Sequence, residues 1–255
     1  MSAVTTLLAC DDIGDGQPVV FLHGLTFSRR TWQPVVDLLS DRFRCITVDL
    51  PAHGETGGSP ATLQEVAERV HSLVVELAAE PPVVVGHSMG ALIATLYGAS
   101  FPTRGVVNVD QSLLVGRFAQ LVQQLEPALR ADFDRAFAPF RQSIGVEALP
   151  EPVRSQTLST QTVEQDVVLG YWGEVVEKGP DVLQSMITTT LQAIRTPYLA
   201  VMGHQVSDDE RDYLQANLGD VLIEEWDGQG HLLHLVDPER FAERVAVFIN
   251  DGGSW

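Results

Sequence analysis

Cysteine is scarce in this chain: Cys10 and Cys45 are its two. Two distant thiols give neither a disulfide framework nor a metal-ligand spacing. Cys45 sits in RCITVDL, which reads as a buried strand, where a free thiol behaves as a small hydrophobe. Positive charge is also sparse, with 16 Lys and Arg against 34 Asp and Glu and a formal net charge of −18. No Lys/Arg cluster offsets that charge, so a nucleic-acid partner is excluded. No apolar run approaches the roughly 20 residues that cross a bilayer. LLAC at Leu7–Cys10 lacks the basic flank and length of a signal peptide and reads as an N-terminal strand. A cytoplasmic monomer or homodimer, acting without membrane, metal or cofactor, is the expectation.

Apolar residues are abundant instead: 45% of the 255 positions are hydrophobic, enough for one sizeable core. Short apolar runs alternate with helical periodicity. QPVVFL (17–22), CITVDL (45–50), VVV (83–85), GVVNV (105–109), YLAVM (198–202) and VLIEEW (221–226) read as strands. Helices are expected over 29–40, from Thr62, over 89–100 and over about 238–250. Thr62 with Glu65 forms a capping box. Strands apolar on both faces imply a parallel sheet covered on both sides, a doubly wound α/β architecture. Such sheets bind ligands at the carboxyl ends of their strands, where His23-Gly24, Asp49–Gly58, Gly86–Gly90 and Asp110 all fall. Residues 111–193 break the alternation with helical sequence alone. The expected division is a core of 1–110 and 194–255, with 111–193 inserted as a helical lid.

Gly86-His87-Ser88-Met89-Gly90 matches G-x-S-x-G between a strand and a helix, the context a nucleophile elbow needs. A Ser hydroxyl needs a base. His231, after the last strand, is favoured over His234, His53 and His204. The base in turn needs a carboxylate. Asp110 ends a strand; Asp208 and Asp209 compete, although first-turn helix charge also accounts for them. Asp110 is preferred and Asp208 is the alternative. The Met89 N–H is one expected oxyanion donor and the Leu25 N–H the second. Thr26, His87 and Trp172 are the candidate substrate contacts. Phe133, Phe137, Phe140, Tyr171 and Met186 are further apolar candidates in the insertion. Arg29 or Arg30 could meet a substrate carboxylate, but helix-start surface charge is the plainer role.

VVFLHGLTFSRRTW, ITVDLPAHGETGG, VVVGHSMGALIATLYGASFP and WDGQGHLLHLVDPERF follow one another along the chain. Together they resemble the α/β-hydrolase fold superfamily over nearly the whole length. The resemblance implies a Ser88–acid–His231 triad, Leu25 and Met89 as oxyanion donors, and a helical cap. One departure stands out: many members carry Gly-x-x-Asp after the penultimate strand, whereas this chain has Gly203-His204-Gln205-Val206. That strengthens Asp110 as the acid. The leading expectation is hydrolysis of an ester or lactone. The same triad serves C–C or amide hydrolysis and perhydrolysis, and a small-ligand receptor is the non-enzyme alternative.

Overall fold

The computed structural model describes residues 8–77 and 80–252. Seven strands form one sheet: β1 (Cys10–Ile13), β2 (Pro18–Leu22), β3 (Arg44–Val48), β4 (Val83–His87), β5 (Gly105–Val109), β6 (Tyr198–Met202) and β7 (Val221–Glu225). Their order is β1-β3-β2-β4-β5-β6-β7. β1 runs antiparallel to β3, and every other pairing is parallel. The doubly wound α/β sheet expected from the alternating runs is therefore present.

The pleat divides the core into two layers. On one face Val20 and Leu22 pack with Val84, Val106 and Ala200 against α2 (Leu63–Leu77) and α3 (Met89–Ser100). On the other, Val19 and Phe21 pack with Val85, Val107 and Val201 against α1 (Gln33–Leu39) and the C-terminal helix, Pro238–Asp251. Each fully buried aliphatic or aromatic side chain adds about 1.5–3 kcal/mol of burial free energy. The capping box forms as expected: the Glu65 N–H donates to Thr62 Oγ1 (3.2 Å) and the Thr62 N–H to Glu65 Oε2 (3.0 Å).

Two strand expectations need correction. Of the N-terminal strand expected over Leu7–Cys10, Leu7 lies outside the described residues, residues 8 and 9 are not in a strand, and β1 is the half-exposed CDDI that starts at Cys10. β7 is only partly buried because it is the last strand of the sheet, and so it tolerates Glu224 and Glu225. Between β5 and β6 the chain forms helices joined by short loops, with no strand among these described residues. It forms α4 (Gly116–Ala131), α5 (Phe133–Ile144), α6 (Val153–Ser159), α7 (Gln165–Tyr171), α8 (Gly173–Lys178) and α9 (Pro180–Ala193), with a short 3₁₀ turn after α5. Two hydrogen bonds tie these helices to the strand-end loops: Thr162 N–H to Thr26 O (2.8 Å) and Tyr171 Oη to Pro51 O (2.8 Å).

Candidate active site

β4 runs directly into α3 through Ser88, which holds φ 52°, ψ −122°. A non-glycine residue there is strained, and strain of this kind persists only where the surroundings enforce it. Here the two flanking glycines allow it. A Cβ on Gly86 would lie 2.1 Å from Gly90 O, and one on Gly90 would lie 2.3 Å from Leu22 O. The Ser88 N–H is fixed to Val109 O (3.0 Å). The result is a serine raised at the strand end, at the start of a helix whose positive dipole end lies beside it.

Asp110 continues β5 and also has a positive φ, 53°. Its carboxylate accepts three hydrogen bonds. Oδ1 takes the Gly203 N–H (2.7 Å) and His204 Nδ1–H (3.1 Å); Oδ2 takes His231 Nδ1–H (2.7 Å). Burial alone would raise the Asp110 pKa. The bond and charge of His231, with Gly203 and His204, outweigh it and hold the group below the usual carboxylate value. The Asp110–His231 bond leaves Nε2 as the free, proton-accepting nitrogen of neutral His231. Close backbone packing makes the meeting possible: a Cβ on Gly203 would lie 2.0 Å from Gly230 O, next to His231.

Asp208 and Asp209 are exposed in the first turn of α10 (Asp208–Asn217), which Ser207 caps. Among the described residues neither is hydrogen-bonded to His231. Val206, where the Gly-x-x-Asp pattern would place an acid, is buried in the apolar core. His204, one of the weaker base candidates in the sequence, instead supports Asp110. Its signal was visible: it follows a strand end, as the other site residues do.

The loop after β2 is held by two buried histidines. His23 accepts the Leu50 N–H at Nε2 (3.0 Å) and donates from Nδ1 to Gly24 O (2.8 Å). His53 accepts the Thr26 N–H at Nε2 (3.1 Å) and donates from Nδ1 to Pro51 O (3.0 Å). Both bonds at Nε2 require neutral rings. Burial, with His53 nearby, pushes the His23 pKa far down, and burial lowers that of His53. Thr26 itself sits at φ 72°. Among the described residues, the Leu25 and Met89 amides have no acceptor within the protein, and both residues line the cavity beside Ser88.

Arg29 is neither surface charge nor a substrate contact. It is buried, with its guanidinium on Asp49, Asp11 (2.9 Å) and Glu55 (2.8 Å), and its own N–H on Asp49 Oδ1 (2.7 Å). This network clamps the loop to the end of β3. Sequence reading missed it because its carboxylates come from two segments distant from Arg29, Asp11 on β1 and Asp49 with Glu55 after β3.

Ser88, Asp110 and His231 open onto one cavity of about 970 Å³. Leu25, Thr26, Met89 and Trp172 also line it, with Phe137, Phe140, Tyr171 and Met186 of the helical insertion; Phe133 does not. His87 is a correction. It lies behind the elbow, buried, outside the cavity wall. Its Nε2–H donates to His231 O (2.8 Å), and its ring packs in tilted contact with those of His231 and His234, centroids 4.6 Å away in each case. Adjacent residues of a tight turn diverge, so the neighbour of the exposed serine points inward. Burial, then His231 and His234, pushes its pKa well down, which keeps it a neutral positioning group. His234 is buried beside Trp32, with its pKa pushed down to about 3 by burial and by His231.

A serine, an imidazole and a carboxylate in this arrangement can perform nucleophilic acyl transfer. Among known proteins, a pimeloyl-[acyl-carrier protein] methyl ester esterase of Yersinia pseudotuberculosis is 26% identical over 93% of this chain and 95% of its own length. A solved esterase from Exiguobacterium antarcticum superposes with a TM-score of 0.75 at 19% identity, covering 95% of both chains. A solved enzyme described as degrading N-acyl homoserine lactones superposes at 0.72 with 20% identity, covering 94% of this chain and 96% of its own. Residues 19–244 match the sequence model of the alpha/beta hydrolase family. The chain belongs to that family.

Proposed function

We propose that the protein is a serine hydrolase that cleaves a carboxylic ester or lactone through an acyl-enzyme. The observation that carries this reading is the 2.7 Å bond from His231 Nδ1 to Asp110, on the wall of the cavity that also exposes the strained Ser88. In this reading His231 Nε2 takes the Ser88 proton as Oγ attacks the carbonyl carbon. The tetrahedral oxyanion is held by the Leu25 and Met89 N–H groups. Collapse expels the alcohol oxygen, which takes the proton back from His231. Water, deprotonated by His231, then attacks the acyl carbon; the bond to Ser88 Oγ breaks, His231 returns the proton to Oγ, and the acid is freed. Asp110 holds the Nδ1–H tautomer and stabilises the imidazolium without itself taking the proton. Residues 111–193 act as a cap that shapes the acyl pocket. The esterase and lactonase relatives agree with this chemistry.

A panel of p-nitrophenyl esters with short and medium acyl chains tests the reading. Turnover is expected, with Ser88→Ala losing at least about 10⁴-fold in kcat. Ser88-independent turnover, or none at all together with ligand-induced thermal stabilisation that persists in Ser88→Ala, would overturn it in favour of a small-ligand receptor.

A further inference from the structure

The charge carried by the cavity wall narrows the substrate class. All 16 Lys and Arg residues of the chain are among the described residues, and none lines the cavity. Arg29 is spent on Asp49, Asp11 and Glu55. Arg117 neighbours the cavity-lining Phe118 in α4 but is exposed and outside the wall. Lys178 lies outside the wall and pairs with the wall residue Glu174 (3.6 Å), so each partly offsets the other's charge there. The ionisable side chains that do face the cavity are Asp110, Glu174, His204, His231 and Tyr171, the last donating its hydroxyl to Pro51 O. Two of the five are carboxylic acids, and none is a fixed cation.

The rest of the wall is largely apolar. Leu92 and Leu96 of α3 line it together with Phe140 and Ile187 of the insertion. Phe118 and Met186 line the cavity yet stay 39% and 44% exposed, which sets them at its mouth. An apolar chain passing them leaves water for a mainly apolar surface. A carboxylate on the same path gives up water and meets no fixed cation on the wall, only neutral hydroxyl and amide groups such as Gln111, Ser112 and Thr190, together with the carboxylates of Asp110 and Glu174.

We infer that the site takes uncharged esters or lactones bearing an apolar chain and discriminates against substrates carrying a carboxylate. This rests on the hydrolase reading above and deepens it. The mechanism of discrimination is electrostatic and desolvating, so it acts on charge at constant chain length.

Three six-carbon p-nitrophenyl substrates isolate the effect: the hexanoate, the adipate monoester, and the adipate monoester capped as its methyl ester. Rates in Ser88→Ala supply the background. The hexanoate and the capped diester should agree within about tenfold in kcat/KM, and the free carboxylate should fall at least about 100-fold below both. Glu174→Gln should narrow that gap by removing one like charge. A free carboxylate hydrolysed within threefold of the hexanoate overturns the charge inference and leaves the hydrolase reading intact. Failure of all three esters, with no Ser88-dependent rate, overturns the hydrolase reading and the charge inference with it.

Discussion

Asp110→Asn is the substitution that most sharply tests how the site is wired. The Gly203 N–H points at Oδ1 and cannot change its role, because a backbone amide only donates. The asparagine must therefore turn its carbonyl oxygen to Gly203 and His204, and its NH₂ to His231. Two donors then face one another across what was a 2.7 Å hydrogen bond. His231 escapes by moving its proton from Nδ1 to Nε2, the nitrogen that must accept from Ser88. The wrong tautomer in this setting costs about 10⁴-fold in kcat, or about 5 kcal/mol of barrier. Asp208→Asn changes an exposed first-turn residue of α10, where Ser207 provides the cap, and should leave kcat within about twofold and stability within about 0.5 kcal/mol. The assay is steady-state hydrolysis of a p-nitrophenyl ester, with circular dichroism to show that both variants fold. Asp110→Asn retaining more than a tenth of wild-type kcat, or Asp208→Asn losing most of it, would refute the reasoning.

Two further outcomes follow from buried groups. His23, His53, His87 and His234 all have lowered pKa values, with burial the largest cause in each. The unfolded chain takes protons on these rings below about pH 6.5, whereas folded His234 does so only near 3. The part of the stability that rests on neutral His234 is therefore complete above about pH 6.5 and is lost as the pH drops toward 3, by up to about 1.4 kcal/mol per pH unit, and the other three rings act in the same direction. His234→Phe, which keeps a flat ring beside Trp32, should make the decline between pH 6.5 and 4.5 shallower by about that amount in urea titrations; an unchanged slope would count against it. Gly90→Ala drives a Cβ to within 2.3 Å of Leu22 O and 2.6 Å of His23 O. It should lower Tm by roughly 10 °C, corresponding to about 4 kcal/mol, and calorimetry showing a shift under 2 °C would contradict the tight packing of the elbow.

Local signals carried the fold. Val19 to Leu22 alternate between two core layers because a strand has period two. The Thr62–Glu65 cap closes over three residues, and Gly86-x-Ser88-x-Gly90 lies between its strand and helix. These features depend on neighbours in the chain, so residue type and spacing were enough to place them. The partners of the site are set at long range. Asp110 and His231 meet across 121 positions of sequence. In the sequence, that pairing is favoured over one with Asp208 only indirectly, by Asp110's place at a strand end, the first-turn role open to Asp208 and the departure at Val206. Arg29 could be read as surface charge because Asp11, Asp49 and Glu55 converge on it only when β1 and β3 pair. His87 could be read as a substrate contact because it adjoins Ser88, whereas the rings of His231 and His234 that it packs against come from far along the chain. The sequence by itself determined the strands, the helices and the serine at the turn. The tertiary structure alone decided which carboxylate holds His231, which histidine turns inward and what charge the cavity presents, because each depends on contacts between segments far apart in the chain.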